Sequence, residues 1–249
     1  MKAKRNTWGV LKKVFGRSRK SEIFEEDVEA AYYGNEQSPR VEHLVERFFQ
    51  KKGSVLDVGC GSGREAFWLA GRGFTVDGID VSSGMIAAAE KRRKREKIAG
   101  ARFAVEDMVR FSSKKKYDYV MALFNVLTFP ETEKDRKKAL RNMAKALKPG
   151  GVLVLDLANK WGNARIVMKQ LVFKLLFLLA GKWTKFGDVY SNPTLAESRE
   201  VTFQHYFSKG EMRRYLAEIP GISYEVEFFD LYRNRRHKNH LLVVVRKRK

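Results

Sequence analysis

A single cysteine stands in 249 residues, so no disulfide can close within the chain, and Cys60 has no second thiol with which to share a metal. Proline occurs only 5 times, and no proline-rich or glycine-rich linker breaks the chain into separate domains. The 4 histidines, His43, His205, His237 and His240, are scattered. Only H-K-N-H at 237–240 brings two of them close, with no carboxylate or cysteine beside them, so they read as solvated and no metal is expected. The longest apolar run, I-V-M-K-Q-L-V-F-K-L-L-F-L-L-A-G at 166–181, holds Lys169, Gln170 and Lys174. It is too short and too charged for a membrane span of about 20 residues. With no secretory leader evident, a reducing, cytoplasmic compartment is expected.

Acid is the other scarce ingredient: 29 Asp and Glu stand against 50 Lys and Arg, a net charge of +21. Residues 1–20 hold eight basic side chains and no acid, and residues 233–249 hold eight more and no acid. A third cluster, K-R-R-K-R-E-K at 91–97, continues a helical pattern whose apolar face is Met85, Ile86 and Ala89. Such runs suit a polyanion, RNA or an anionic membrane surface, because phosphate contacts release counterions. A single charge run is more often plain solvated surface.

Hydrophobic residues make up 44% of the chain, enough to bury a substantial core. Strand-like and helical stretches alternate from 54 to 157, which predicts a parallel sheet with helices on both faces. Within this region V-L-D-V-G-C-G-S-G at 55–63 ends an apolar run in Asp57 and then places Gly59, Gly61 and Gly63 at alternate positions. Alternate glycines allow a tight turn and close approach of backbone to a ligand. A dinucleotide loop would read G-x-G-x-x-G, whereas the sixth position here is Arg64. Asp57, two positions before the first glycine, would repel a pyrophosphate and suits a cation; S-adenosylmethionine, with its ammonium and sulfonium, is such a ligand.

Three further stretches bear on that ligand. F-T-V-D-G-I-D ends in Asp80, twenty-three residues after Asp57, where a carboxylate at a strand tip can accept both ribose hydroxyls. A-R-F-A-V-E-D-M carries Asp107, an acceptor for an adenine amino group, and Y-D-Y-V-M-A-L-F-N-V-L puts Phe124 and Asn125 just past a strand end. K-A-L-K-P-G-G-V-L-V-L-D then reads as a helix end, a turn at Lys148-Pro149-Gly150-Gly151 and a fifth strand.

In order and spacing, residues 40–160 resemble the class I S-adenosylmethionine-dependent methyltransferases. The resemblance implies a Rossmann-like α/β fold, a seven-stranded mostly parallel sheet with one antiparallel strand. It puts Asp57, Gly59, Gly61 and Gly63 around the methionine portion, Asp80 at the ribose, and Asp107 with Met108 at the adenine. Cys60, Val81 and Phe124 fall among these positions and complete the expected cofactor set. Asn125, or a carbonyl near it, would face the transferable methyl. A tyrosine upstream of the glycine loop often covers the cofactor in this superfamily, which makes Tyr33, in A-A-Y-Y-G, a candidate; Tyr32 and Tyr33 read equally as packing aromatics.

Around that centre, residues 1–21 read as a basic tail, with Trp8, Val10, Leu11, Val14 and Phe15 able to form one face of a short helix. Residues 22–249 read as one domain with a lid or substrate insertion at 160–199. Val41, Leu44, Val45, Phe48 and Phe49 mark a helix face within 22–50, and Ala139, Leu140, Met143 and Leu147 mark another in 131–147. Ser62 with Glu65, and Ser208 with Glu211, read as capping boxes. Run 166–181 reads as a helix over the site mouth, a membrane-surface helix or buried core. Strands are expected at 200–207, 222–231 and 240–247.

The acceptor side is less legible, because methyl transfer depends on alignment more than on a strong base. Candidates are Asn125, His205, Tyr206 and Arg199, with His205 reading more readily as a packing histidine. F-Q-H-Y-F-S-K-G-E-M-R-R-Y-L, together with G-D-V-Y, resembles the C-terminal part of the tRNA wobble-uridine methyltransferases. A-Y-Y-G-N-E-Q-S-P-R departs from that family's aromatic, proline-containing entry motif. Three readings stand: an RNA methyltransferase, tRNA favoured; a methyltransferase of a small-molecule or lipid-like acceptor, with 166–181 as lid or peripheral membrane contact; and a non-catalytic RNA-binding or partner subunit. Intact Asp57, Asp80 and Asp107 argue against the third.

Overall fold

The computed structural model describes residues 39–179, 181, 184–191, 202–229 and 239–249. Tyr33, Arg199, His237 and the basic tail at 1–21 lie outside the described residues.

The elements, in chain order, are α1 (Pro39–Phe48), β1 (Ser54–Val58), α2 (Arg64–Gly71), β2 (Thr75–Asp80), α3 (Ser83–Arg95), β3 (Ala101–Val105) and β4 (Tyr117–Ala122). A short 3-10 turn at Val126–Thr128 leads into α4 (Glu133–Ala146), β5 (Leu147–Ala158) and α5 (Ala164–Leu179). Then come β6 (Asp188–Ser191), β7 (Thr202–His205), α6 (Lys209–Ala217), β8 (Ile222–Phe229) and β9 (His240–Lys247). The main sheet has seven strands in the order β3-β2-β1-β4-β5-β9-β8. All neighbours from β3 to β5 are parallel, and β9 runs antiparallel to both β5 and β8.

Side-chain alternation along these strands divides the core into two layers. Leu56, Val120, Leu153 and Val243 face α4 and α6, where Ala139, Leu140, Met143, Met212 and Leu216 are buried. Val55, Met121, Val154 and Val244 face α1 and α2, where Val41, Leu44, Val45 and Leu69 are buried. Both faces are covered, as a parallel sheet requires.

Several local expectations change. Helix α2 begins after Gly63 in the left-handed region with no side-chain cap, so Ser62 and Glu65 do not form a capping box. The loop geometry that the glycines impose turns both side chains elsewhere. Thr132 caps α4 instead, accepting the Asp135 N–H at 3.0 Å. Ser208 does cap α6, accepting the Glu211 N–H at 3.2 Å, but the Glu211 carboxylate goes to His205 and Lys160. Strand β5 starts at Leu147, before the Pro-Gly-Gly turn, which the ladder absorbs as a register shift between Tyr117 and Tyr119. His240 belongs to no loose tail: it opens β9 and pairs with Ala158 and Phe229. The expected strand at 200–207 is a four-residue strand, β7, pairing with β6 in a separate two-stranded sheet.

Residues 166–179 of the apolar run fold within α5 and are not core. Only Gln170 and Phe177 of its side chains are buried. No helix among the described residues is long and apolar enough to cross a membrane.

Candidate functional site

Strand order reverses between β1 and β4: the chain passes from β1 outward to β2 and β3, then returns to lay β4 on the other side of β1. The crevice beyond the carboxyl ends of those two strands is where open α/β sheets bind ligands. Asp57 pairs in register with Met121, so the glycine loop and the Leu123–Asn125 turn emerge side by side. Gly59 has φ +72°, and a Cβ there would lie 2.5 Å from Val126 Cγ2. The loop and the 3-10 turn therefore close on each other only because that position is glycine. The Gly59 and Cys60 N–H groups both donate to the Ile79 carbonyl, at 2.7 and 3.1 Å, which fastens the loop to β2.

Four carboxylates stand at or after the carboxyl ends of β1, β2 and β3. Asp57 is buried, and its Oδ2 has no hydrogen-bond partner. Burial, then the charges of Glu65 and Asp80, push its pKa well above the usual range, with Arg64 pulling the other way. Asp80 also lies above its usual range, chiefly through burial, although backbone N–H groups of Ser82, Gly61 and Val81 oppose the rise. Its Oδ1 accepts from Ser82 N–H and its Oδ2 from Gly61 N–H, both at 2.9 Å. Each oxygen keeps a second lone pair for a hydroxyl. Asp107 Oδ1 accepts the Val109 N–H at 2.8 Å, which fixes the carboxylate at the tip of the turn after β3. Glu65 is the fourth, paired with the Arg64 Nε.

Sequence reading missed Glu65 and Arg64 as site residues. By pattern the first reads as half of a capping box, and the second only as a position that is not glycine. Arg64 lies with its guanidinium 4.7 Å from the centre of the Phe124 ring. No local spacing signals either role, since both follow from where α2 begins.

Phe124 and Asn125 have φ of 59° and 66°, two consecutive non-glycine residues in the left-handed region. Such backbone is uncommon and persists only where surrounding structure imposes it. Here the Asn125 carbonyl accepts from Thr128 Oγ1 at 2.6 Å and Thr128 N–H at 2.8 Å, while Asn125 N–H donates to the buried Asp156 Oδ1 at 3.4 Å. Asn125 Oδ1 is buried with no hydrogen-bond partner.

Among the other expected residues, the Cys60 thiol is buried, and that burial pushes its pKa up. Its Sγ packs where a Gly78 Cβ would stand and donates to the Gly61 carbonyl at 3.6 Å. Val81 is partly exposed, and Met108 packs against the core while its carbonyl accepts from Asn142 Nδ2. The loop before α4 is held by Arg136, whose Nη1 donates to the carbonyls of Pro130 and Glu131.

His205 and Tyr206 sit elsewhere, at the end of β7. His205 is buried, with Nδ1 2.6 Å from Asp188 Oδ1 and Nε2 2.9 Å from Glu211 Oε1. An acceptor-side base needs a free ring nitrogen; both are engaged, so His205 ties β6 to α6. Burial raises the Glu211 pKa, but the bonds from His205 and Lys160 outweigh it and leave it at about 2. Burial raises the Tyr206 pKa, which keeps its phenol a donor. Lys185, just before β6, donates to Glu133 Oε2 at 3.0 Å, joining this segment to the first turn of α4.

The groups present fit S-adenosylmethionine. A buried carboxylate oxygen without a partner, backed by two more acids, matches an ammonium, and the donors and acceptors of the loop match an uncharged ribose and adenine. Comparison with known proteins agrees. A family model described as a methyltransferase domain matches residues 55–151. The methyltransferase GfsG of Streptomyces halstedii is 35% identical over 125 residues, 46% of this chain and 41% of that protein. Glycine N-methyltransferase of Rattus norvegicus is 32% identical over 117 residues, 42% of this chain and 40% of that one. The chain thus spans less than half the length of these curated relatives. Among solved structures, a methyltransferase of Methanosarcina mazei superposes with TM-score 0.65 at 22% identity, covering 82% of this chain and 96% of that one. The CcbJ methyltransferase of Streptomyces caelestis gives 0.64 at 18% identity, covering 92% and 96%. Strand order, the loop at the switch point and the matched domain agree: residues 55–151 match a methyltransferase domain, set in the seven-stranded sheet of a Rossmann-like methyltransferase fold.

Proposed function

We propose that this protein transfers the methyl group of S-adenosylmethionine to an acceptor admitted between the switch-point crevice and the insertion at 160–199. The observation that carries this reading is the buried, unpartnered Asp57 Oδ2 with Glu65 and Asp80 close enough to raise its pKa. Such a site is unfavourable alone and favourable with a cation in it. When bound, S-adenosylmethionine supplies a methyl carbon already activated by its sulfonium.

The chain's own groups then do the aligning. Asp57 and Glu65 take the ammonium, and Arg64 is the cation available to the methionine carboxylate. Asp80 accepts from the ribose hydroxyls, and Asp107 accepts from the adenine amino group beside Met108 and Val81. The strained Phe124–Asn125 turn presents Asn125 Oδ1 and nearby carbonyls where methyl charge develops, so its rigidity contributes positioning and electrostatic preorganisation. Tyr206 is the donor available to an acceptor oxygen or nitrogen.

For the acceptor, a small or lipid-like molecule is the reading we favour. Relatives whose names state an acceptor, such as glycine and phosphoethanolamine N-methyltransferases, name small molecules. RNA, with tRNA foremost, is the second reading and rests on the acid-free basic runs at 1–20 and 233–249. Transfer of radiolabelled methyl into a cell extract, separated into RNA, protein, lipid and small-molecule fractions, tests both. Label confined to lipid or small molecules supports the first reading. Nuclease-sensitive label in RNA replaces it with the second, and no transfer to any fraction removes the enzymatic reading.

A further inference from the structure

Among the described residues, Gln170 and Phe177 fasten helix α5 along one side. The Gln170 amide donates to the carbonyls of Lys160 and Ile166, at 2.8 and 3.1 Å. Phe177 stacks on Tyr190 with ring centres 5.1 Å apart. The opposite side presents Met168, Leu171, Val172, Leu175, Leu178 and Leu179, from 47% to 76% exposed. At 100° per residue these six fall in one stripe about 120° wide. Contiguous apolar surface of this kind is uncommon on a protein that works alone in water.

The borders of the stripe are basic. Arg165 and Lys169 follow one edge, and Lys174 lies near the other. Residues 157–187 hold six Lys or Arg and no acid. Trp161, 57% exposed, stands just ahead of the helix, a side chain suited to the headgroup level of a bilayer. At 16 residues the helix is about 24 Å long, short of an apolar thickness of about 30 Å, so it can lie on a bilayer but not cross one. A second copy docked face to face would set Arg165, Lys169 and Lys174 against their own equivalents, with no acid on either helix to offset them.

We propose that α5 docks this protein on an anionic lipid surface, lying in the headgroup region with its six aliphatic side chains inserted and its flanking lysines and arginine on the lipid phosphates. Docking requires no methyl transfer, so it stands apart from the acceptor reading.

Flotation of the full chain with vesicles of phosphatidylcholine, alone and mixed equally with phosphatidylglycerol, tests this at near-physiological salt, and the stripe variants separate α5 from the basic ends. The protein is expected to float with the mixed vesicles. The variant Leu171→Glu/Leu175→Glu is expected to lower partitioning by about tenfold or more, with S-adenosylmethionine binding unchanged. Leu175→Ser/Leu178→Ser gives an uncharged second variant if the first misfolds. Failure of the native chain to float overturns the proposal, as does floating of both variants like the native chain. So does a lipid-free dimer that the variants dissociate, which would make the stripe a contact between copies.

Discussion

The Gly61 backbone N–H donates to Asp80 Oδ2 at 2.9 Å, so the carboxylate at the tip of the second strand holds the glycine loop that follows the first. That side chain fixes the loop, and in the function proposed above it is also the acceptor for the ribose hydroxyls. Asp80→Ala is expected to weaken S-adenosylmethionine binding by roughly a hundredfold, since two charge-assisted bonds and the loop's anchor go together. Asp80→Asn keeps one acceptor and should fall between. Calorimetric titration of both variants checks the order, and native affinity in Asp80→Ala would end the ribose assignment.

Gly59 tests the closure of the crevice. In Gly59→Ala the new Cβ meets Val126 Cγ2 at 2.5 Å on a backbone with φ +72°. The expected loss is roughly 2–4 kcal/mol of stability, from overpacking plus left-handed strain, with cofactor binding abolished. Adding Val126→Ala removes the clash and leaves the strain, so thermal melts of the double variant should recover part of the loss. No recovery would mean the contact is not what demands glycine.

The raised pKa values of Asp57 and Asp80 set a pH dependence. A carboxylate raised by burial favours the folded protein in its protonated form. That stabilisation is complete below the ordinary carboxylate range and is lost as pH rises through the raised value. A cationic ligand needs the ionised form, so S-adenosylmethionine affinity should climb over the same interval and then level off. Thermal shifts with ligand at weakly acidic and weakly alkaline pH measure this. Asp57→Asn should flatten the climb, weaken binding by roughly tenfold or more, and leave the ligand-free protein at least as stable.

Asn125 separates alignment from folding. Asn125→Gly relaxes φ 66° while removing the side chain, so melting temperature should hold or rise slightly. Turnover should drop by roughly tenfold to a hundredfold with little change in cofactor affinity. Single-turnover transfer against titrated binding distinguishes the two, and unchanged turnover would leave Asn125 a backbone device.

Glu211 tests the web behind β7. Its pKa of about 2 is depressed, so its contribution to stability is present above the ordinary carboxylate range and fades as pH falls toward that value. Glu211→Gln is expected to cost roughly 3 kcal/mol near neutrality, because His205 and Lys160 lose a buried charged partner. The deficit should shrink in acid melts. A deficit independent of pH would show that packing rather than the ion pairs carries the effect.

Much of this molecule is legible along the chain. V-L-D-V-G-C-G-S-G, Asp80, Asp107 and Asn125 are placed by motif and spacing because each stands within two or three residues of a strand end, and strands advertise themselves by continuous apolar runs. The apolar faces of α3 and α4 were readable for the same reason: helical periodicity is local. Glu65 and Arg64 were not, since their roles depend on Gly63 starting α2 in a left-handed conformation and thereby turning both side chains toward the crevice. His205 shows the same limit from the other side. Its sequence neighbours say nothing of Asp188, seventeen residues away, or of Glu211 on the next helix, and those two carboxylates decide that its nitrogens are occupied.

Composition and local pattern by themselves determined the basic charge, the α/β alternation, the glycine loop and the positions of the acids at the strand ends, all set by covalent neighbours and short-range periodicity. Only tertiary structure decided which apolar run is covered. I-V-M-K-Q-L-V-F-K-L-L-F-L-L-A-G reads as a helix over the site mouth, a membrane-surface helix or buried core, and α5 buries little beyond Gln170 and Phe177, because burial depends on what packs opposite a face. The small β6–β7 sheet covers one side of it, and the six aliphatic side chains on the other meet no covering element among the described residues.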